Sequence, residues 1–354
     1  MKIVAVRSYL KKVALKNPYT IAYSTFSDVS LAFFEVELAN GMVGYGCGSP
    51  AAEVVGETSA QTALHLESNF VQNFVGRDIR HFQTIIFESR KHFDHLPGTQ
   101  AAIDIALHDA FGKFIGISVA SFYGQKVKAL PTSITIGIKN VEETLKDAAG
   151  FLSLGFKILK VKLGLNLEED IEKINKLYEK FSTSFIIRVD PNQGYSLSDL
   201  NKFLEATKKA KIELIEQPLP VGQELELLKV DPIYRNLIMG DESLKDPQAA
   251  LEYAISKPFG VYNIKLMKCG GITGAMEIAT IARNAQINLF WGCNDESIIS
   301  ITAALHAAYC CDNTRYLDLD GSFDLAEDLV TGGFELKEGC MQINSHPGFG
   351  CTKL

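Results

Sequence analysis

The chain has 354 residues, of which 47% are apolar and 22% charged, enough for a large buried core. Its net charge of −7 argues against nucleic acid or an anionic membrane as the main partner, because both favour basic surfaces. Seven cysteines without CxxC spacing indicate reduced thiols rather than a disulfide framework or a zinc site. No secretion signal or membrane-spanning run is evident, so we expect a cytoplasmic protein.

The first third of the chain has the pattern of an α+β domain. Apolar and β-branched patterns predict strands at 2–10, 29–38 and 42–46. Helical spacing of apolar residues predicts helices around 56–74, 78–93 and 98–115. Three strands followed by three helices indicate a sheet with helices packed on one face.

From about residue 130, short β-branched segments alternate with helical ones. We predict eight strands, at 132–137, 157–164, 185–190, 212–218, 237–243, 261–266, 287–293 and 314–321. Their spacing of about 25 residues is typical of a βα unit, and eight such units close a barrel. A doubly wound sheet also alternates in this way, but no GxGxxG motif follows the first strand. A last strand-like segment, 340–345, is expected to pack back on the first domain.

The ends of these strands carry charged residues in a regular order. In such barrels the active site lies at the C-terminal ends of the strands. The second to sixth strands end, in order, in Lys160 and Lys162, Asp190, Glu216, Asp241 and Lys265. A single strand-end acid is often only a turn residue, and a strand-end lysine can simply reach water. The ordered series on five successive strands favours a functional site.

Three neighbouring carboxylates repel one another unless a cation joins them, and their hard oxygen donors predict Mg²⁺. The second and sixth strands are opposite in a ring of eight, so Lys162 and Lys265 are expected to flank the metal. A carboxylate substrate on the metal would place its α-carbon between them, where one lysine removes a proton and the other returns one. Lys160 would help to neutralise the substrate carboxylate. We expect the nearby positive charges to lower the pKa of a lysine base.

Other polar residues near the strand ends are expected to have supporting roles. Glu242 and Glu296 are candidate partners that hold ligands or lysines in place. Asn192 is expected either to shape its loop or to contact the ligand. Arg188 and Lys268 are expected to be structural or solvated.

Five motifs resemble the muconate-lactonizing subgroup of the enolase superfamily. They are KVK at 160–162, DPNQG at 190–194, IEQP at 215–218, GDES at 240–243 and NIKLMKCGGIT at 263–273. The resemblance implies an α/β fold, a modified TIM barrel (β/α)₇β with an N-terminal α+β capping domain. It implies a cap at 1–125, a barrel at 126–321, and a tail at 322–354 that packs back on the cap.

The resemblance also implies chemistry at named positions. It places one Mg²⁺ per subunit on Asp190, Glu216 and Asp241, and gives Lys162 and Lys265 the roles of catalytic bases. An isomerase that transfers a proton at a single carbon is the expected enzyme class.

The segment LDLDG at 317–321 resembles dipeptide epimerases, in which the Asp pair holds the α-ammonium of the substrate. Asp318 and Asp320 are two apart, so both side chains lie on one face of the strand. An extended dipeptide spans about 7 Å, a suitable reach from the metal to this pair. The sequence thus predicts epimerisation of dipeptides next to the C-terminal carboxylate.

The preferred side chain is predicted from the first cap loop, NPYTIAYSTFSD. No Lys or Arg occurs between Lys16 and Arg77, and the loop offers aromatic residues that include Tyr23 and Phe26. We therefore expect an apolar or uncharged epimerised residue rather than Glu. If Asp295 lines the pocket, a cationic side chain is favoured instead; otherwise it is a solvated loop acid.

Two other functions are compatible with the sequence. One is another reaction of the same subgroup, N-acylamino acid racemisation or cycloisomerisation. The other is metal-dependent binding without turnover. In each case the partner is a small molecule, not nucleic acid or membrane, and the chain is either a monomer or a homo-oligomer.

Overall fold

The computed structural model describes residues 1–22 and 24–354. Its N-terminal part begins with an antiparallel sheet in the order β1-β2-β3. The strands are β1 (Ile3–Ile21), β2 (Ser24–Leu38) and β3 (Val43–Gly48). The first two pair from Ile3 and Leu38 to Ile21 and Ser24, so the predicted cap loop is the end of a long hairpin. Thr20, Ile21 and Thr25 continue the ladder because β-branched residues suit strands.

Six short or medium helices complete the cap. They are α1 (Ala52–Val55), α2 (Ser59–Leu66), α3 (Asn69–Gln72), α4 (Phe82–His92), α5 (Pro97–Ile115) and α6 (Val119–Tyr123), among the described residues. The central helix α5 packs directly on β3. A Cβ at Gly46 would lie 2.1 Å from a backbone oxygen of α5, so this contact requires glycine. The predicted helix at 56–74 is interrupted, because the chain turns at Glu67 and Ser68.

After the short strand β4 (Leu130–Pro131), parallel strands form a sheet of eight within the described part of the chain. They are β5 (Ile134–Ile136), β6 (Ile158–Lys162), β7 (Ile186–Asp190), β8 (Leu214–Glu216), β9 (Ile238–Gly240), β10 (Val261–Ile264), β11 (Asn288–Trp291) and β12 (Thr314–Leu317). The sheet keeps chain order, and a parallel bridge between Thr132 and Leu317 brings its last strand to its first. Each predicted barrel segment contains one of these strands, and the predicted fold class is confirmed.

Helices cover the outside of the barrel. They are α7 (Val141–Ser153), α8 (Leu167–Phe181), α9 (Leu197–Thr207), α10 (Pro232–Arg235), α11 (Pro247–Ser256), α12 (Leu266–Cys269), α13 (Ile272–Asn284) and α14 (Ile298–Tyr309). Side-chain caps at Asn140, Asn166 and Asp246 accept from backbone amides and start α7, α8 and α11. No helix in residues 1–22 and 24–354 has the length and apolarity needed to span a membrane.

The tail joins the cap to the barrel. Its strands are β13 (Val330–Gly332), β14 (Phe334–Lys337), β15 (Cys340–Ile343) and β16 (Cys351–Lys353). β15 pairs with β4 at the start of the barrel, whereas Lys353 Nζ reaches Glu35 of the cap at 2.6 Å. The backbone amide of Phe349 donates to Asp109 on α5 at 2.9 Å. The domain boundaries near 125 and 321 stay predictions.

Candidate active site

The buried ammonium of Lys160 is surrounded by carboxylates. Its Nζ lies 3.2 Å from Asp190 Oδ2, 2.7 Å from Glu216 Oε2 and 2.9 Å from Asp318 Oδ2. Burial lowers the pKa of Lys160, but these three acids outweigh burial and hold its pKa well above the usual range. Lys160 is therefore a fixed positive charge within the barrel, and it does not reach water from a strand end.

Three acids stand at the ends of neighbouring strands. Asp190 ends β7, Glu216 ends β8, and Asp241 follows β9, and all three side chains are buried. Lys162 Nζ contacts Asp190 Oδ2 at 2.6 Å, and Lys265 Nζ contacts Asp241 Oδ2 at 2.8 Å. Burial and the charge of Asp190 raise the pKa of Glu216 to about 8. At Glu216 the lysines therefore do not fully balance the negative charge of the neighbouring acids.

These residues suit a hard divalent cation by their chemistry. All three acids offer carboxylate oxygens, and the buried Oε2 of the adjacent Glu242 has no hydrogen-bond partner. In the described part of the chain, no three acidic, histidine or cysteine side chains are arranged around one point as metal ligands. The ammonium of Lys160 lies between Asp190 and Glu216, 3.2 Å from the first and 2.7 Å from the second. The donor set fits Mg²⁺, and the unpartnered oxygen and the raised pKa of Glu216 both favour added positive charge.

Lys162 and Lys265 approach the site from opposite sides. Lys162 ends β6 and Lys265 follows β10, four strands further round the ring. Burial lowers the pKa of Lys265, but Asp241 and Glu216 outweigh burial and raise it above its usual range. The lowering of this pKa that is expected from bound Mg²⁺ and a second ammonium stays a prediction, because the nearest charges among the protein groups are carboxylates.

Lys268 is structural, which was one of its two predicted alternatives. Its Nζ is buried and donates to Asp241 Oδ1 at 2.5 Å, to Asp241 O at 2.6 Å and to Asn263 O at 3.0 Å. It is not solvated, because the single turn of α12 directs its side chain back to the barrel. Arg188 is structural too, which was one of its two predicted alternatives. Its Nε donates to Glu213 at 2.7 Å.

Amide side chains that the sequence did not single out also hold the acids. Asn263 Nδ2 donates to Glu216 Oε1 at 3.0 Å, and Gln217 Oε1 accepts from the Asp241 amide at 2.9 Å. Asn192, which the sequence did single out, accepts from Lys162 Nζ at 3.1 Å and so contacts a lysine rather than an acid. Asn192 and Gln217 have φ of 43° and 32°, so the loops after two acids adopt a conformation that most residues avoid. The signal for Asn263 was its position two residues before Lys265, on the same strand face.

A cavity of about 890 Å³ lies at this end of the barrel. Its lining includes Tyr19, Lys160, Lys162, Lys265, Asp295, Asp318 and Asp320. Asp318 Oδ1 accepts from Ser133 Oγ at 2.5 Å, and Asp320 Oδ2 accepts from the Thr135 amide at 2.8 Å. Burial and the charge of Asp318 raise the pKa of Asp320 to about 7. The pair thus presents negative charge on the strand opposite Glu216.

The loop after β11 adds a further acid. Tyr19 of the hairpin donates its hydroxyl to Asp295 Oδ2 at 2.8 Å, and burial raises the pKa of Asp295 to about 6. In the described part of the chain, no lysine, arginine or histidine nitrogen lies within 4 Å of this carboxylate. Phe26 packs against Tyr19, with ring centroids 5.4 Å apart, and is not part of the described cavity lining. Tyr23 lies outside the described residues.

Glu296, next along the same loop, is buried and accepts from the Asn294 amide at 2.8 Å. Burial raises its pKa to about 8. Its contact shapes the loop that carries Asp295.

Two family descriptions match the sequence. Residues 3–124 match "Mandelate racemase / muconate lactonizing enzyme, N-terminal domain", and residues 143–353 match "Enolase C-terminal domain-like". The chain belongs to the enolase superfamily. This membership confirms the predicted family.

Relatives within the superfamily match along the whole chain. An L-Lys-D/L-Arg epimerase from Desulforapulum autotrophicum is 45% identical, with 100% of each chain covered. A hydrophobic dipeptide epimerase from Enterococcus faecalis is 36% identical over 99% of this chain and 100% of the relative. A Methylococcus capsulatus dipeptide epimerase, complexed with Mg and L-Arg-D-Lys, has a TM-score of 0.97 at 42% identity, covering 99% of this chain and 100% of that chain. The predicted isomerase class is confirmed by these relatives.

Proposed function

We propose that this protein is a Mg²⁺-dependent dipeptide epimerase that inverts the α-carbon next to the C-terminal carboxylate. One observation carries the proposal: Lys162 and Lys265 reach one cavity from opposite strands, with three buried acids on the strands between them. Relatives named as dipeptide epimerases, and solved with Mg, support the same reading.

Asp190, Glu216 and Asp241 are the proposed ligands of one Mg²⁺ per subunit. A bound Mg²⁺ would supply positive charge that offsets the negative charge developing on the substrate carboxylate. Lys268 and Asn263 hold Asp241 and Glu216 in place through direct hydrogen bonds. Their contacts orient the ligands and limit the cost of burying the acids.

Two lysines on opposite faces of the substrate carry out the proton transfer, one as the base and the other, protonated, as the acid. Lys162 takes or returns the α-proton on one face, and Lys265 does so on the other. Lys160 stays charged among its three carboxylates and offsets the negative charge of the substrate carboxylate. Inversion follows when one lysine removes the α-proton and the other delivers its own proton to the opposite face.

Asp318 and Asp320 are proposed to hold the α-ammonium of the dipeptide. They follow β12, which is opposite β8 in the ring, and both line the cavity. Their negative charge would complement the amine of a substrate whose carboxylate faces the acids on the other strands. An N-acylated substrate has no ammonium for this pair.

We infer further that the epimerised residue is cationic. The sequence favours a cationic side chain if Asp295 lines the pocket, and Asp295 does line the cavity. Among the described side chains, the only close polar partner of its carboxylate is the Tyr19 hydroxyl. Two relatives named L-Lys-D/L-Arg epimerase, 45% and 42% identical, support a cationic substrate. The predicted preference for apolar or uncharged residues stays a prediction, supported by the aromatic hairpin and by the Enterococcus faecalis relative.

A dipeptide panel in D₂O, followed by mass spectrometry, tests the proposal. L-Lys-L-Arg, L-Ala-L-Arg, L-Ala-L-Leu, L-Ala-L-Glu and N-acetyl-L-Arg are each incubated with enzyme and Mg²⁺. We expect α-deuterium incorporation and epimerisation that are fastest with Arg at the C-terminus. A preference for L-Ala-L-Leu would contradict the role of Asp295, and the absence of exchange with every free dipeptide would contradict epimerisation itself.

A further inference from the structure

We propose that Asp104, on the cap helix α5, is a positioning residue for Lys265 of the barrel. The inference rests on the proposed role of Lys265 as one of two proton-transfer bases. Asp104 is 1% exposed and lies on the side of α5 that faces the barrel. It contacts the chain shortly after Lys265, not the substrate cavity itself.

The first point of evidence is how α13 begins. Its N-cap is Gly271, which has no side chain to accept from the first amides of the helix. Asp104 replaces that missing cap: Ile272 N donates to Oδ1 at 2.8 Å, and Thr273 donates to Oδ2 through its amide at 3.3 Å and its hydroxyl at 2.5 Å. A negative charge at a helix N-terminus is favourable. The start of this barrel helix is thus capped by the other domain.

The second point is the short connection back to the base. Lys265 is separated from Gly271 by the single turn of α12 and Gly270. The Gly271 amide donates to Leu266 O at 2.9 Å, and the Lys268 amide donates to Lys265 O at 3.0 Å. One end of this segment is fixed by β10 and the other by Asp104. A shift at the start of α13 is therefore transmitted to Lys265.

The third point is how closely the cap meets this segment. Gly270 and Gly271 have φ of 75° and 95°, in the region that favours glycine. A Cβ at Gly271 would lie 2.6 Å from Cβ of Asp104, and one at Gly270 would lie 2.1 Å from Gln100 Oε1. Both neighbours belong to α5. The segment therefore has little freedom to move toward the cap, and the hydrogen bonds to Asp104 prevent movement away from it.

Asp104 is itself held in place. His108, one turn later on α5, places Nδ1 2.8 Å from Asp104 O and 3.1 Å from Asp104 Oδ1. Its other ring nitrogen lies 2.7 Å from the hydroxyl of Tyr123 on α6. The carboxylate is thus part of a packed cap, and it forms a rigid reference point for α13.

Lys162 provides the internal comparison. Its ammonium is oriented by Asp190 and Asn192, from the neighbouring barrel strand and its loop. The amide of Gly164, two residues further on, donates to Asp170 of α8 at 2.8 Å. Since these partners belong to the barrel, loosening Asp104 should affect the proton transfer at Lys265 and spare that at Lys162.

The test measures α-deuterium exchange in D₂O separately from each epimer of one dipeptide, with Mg²⁺ present. Lys265→Ala first identifies the epimer whose α-proton faces Lys265, since that epimer loses exchange. Asp104→Asn is then expected to slow exchange of the same epimer about tenfold or more, because small displacements of a catalytic group are costly. Exchange of the other epimer should change less than about twofold.

Asp109→Asn is the matched control. Asp109 lies on the same helix, is buried, and also accepts from backbone amides, those of Tyr45 and Phe349, both at 2.9 Å. We expect this variant to leave the ratio of the two exchange rates unchanged. Thr273→Val, which removes only the hydroxyl donor, should shift the ratio in the same direction as Asp104→Asn and by less, and it serves if Asp104→Asn does not fold.

Three results would overturn the inference: equal slowing of both epimers in Asp104→Asn and Thr273→Val, no slowing in either, or the same asymmetry in Asp109→Asn. Absence of exchange in the wild-type enzyme with both epimers would instead overturn the proposed function, and the role of Asp104 with it.

Discussion

The end of the barrel and the cap hairpin contribute to the same cavity but differ in how firmly they hold their polar groups. At the strand ends Asp190, Glu216 and Asp241 each have at least two side-chain partners, and Lys160 contacts three carboxylates. Where the hairpin meets the loop after β11, the Asp295 carboxylate accepts one hydrogen bond among the described residues, from the Tyr19 hydroxyl. The difference shows that the acids proposed to bind the metal are each held by several contacts, whereas the acid proposed to select the side chain is held by one.

The largest effect is expected at the strand ends, where the proposed Mg²⁺ ligands lie. Glu216→Gln should reduce kcat about a thousandfold, because it removes a charged ligand from the proposed Mg²⁺ site. Mg²⁺ affinity, measured by calorimetry, should fall in parallel. Glu226→Gln is the control, since Glu226 pairs with Lys229 on the surface. Retention of full activity and Mg²⁺ affinity by Glu216→Gln would show that the metal lies elsewhere.

A substitution at Asp318, after the strand opposite β8, should reduce activity on free dipeptides more than on N-acylated substrates. Asp318→Asn is expected to lower kcat/KM for free dipeptides about a hundredfold, since a buried charge partner of the α-ammonium is lost. Activity on an N-acetylated amino acid, which carries no ammonium, should fall much less. An equal loss on both substrates would mean that Asp318 acts only by holding Lys160, with which it pairs at 2.9 Å.

The strand-end residues were predictable because barrel topology brings them together whatever the helices do. The order of Lys160, Asp190, Glu216, Asp241 and Lys265 on successive strands needed only the βα period and the rule for strand ends. The base roles and metal ligands assigned to them stay predictions that the experiments above address.

Contacts that depend on distant packing were not predictable. Tyr19 and Asp295 are 276 residues apart, and nothing local in either segment indicates their hydrogen bond. For Lys268 the sequence left a structural and a solvated role open, and its hydrogen bond to Asp241 decides for the structural one. The hairpin was mistaken for a loop because Pro18 and several polar residues interrupt its alternation.

The pH dependence of KM for a free dipeptide tests whether Asp320 binds the substrate ammonium. Asp320 has a pKa of about 7, so it is charged above that pH and neutral below it. KM for a free dipeptide should therefore rise as pH falls, by up to about tenfold per unit below pH 7. In Asp320→Asn the KM should be high and nearly independent of pH. A wild-type KM that does not change between pH 8 and 6 would exclude this role.

The smallest effect is expected at Asp295. Asp295→Asn should lower kcat/KM for a C-terminal Arg about tenfold and leave that for a C-terminal Leu unchanged or improved. Tyr19→Phe, which keeps the carboxylate, is the control and should retain the preference for Arg. If Asp295→Asn loses activity equally on both dipeptides, Asp295 supports the site and does not select the side chain.

The most direct test of the account is exchange of the α-proton in D₂O by the two lysine variants. Lys162→Ala and Lys265→Ala should each abolish epimerisation, yet each should retain deuterium exchange with one epimer of the dipeptide, a different epimer in each variant. Such reciprocal behaviour is expected if the two ammonium groups serve opposite faces of one carbon. Loss of exchange with both epimers in either variant, or retention of the same epimer in both, would contradict the two-base mechanism.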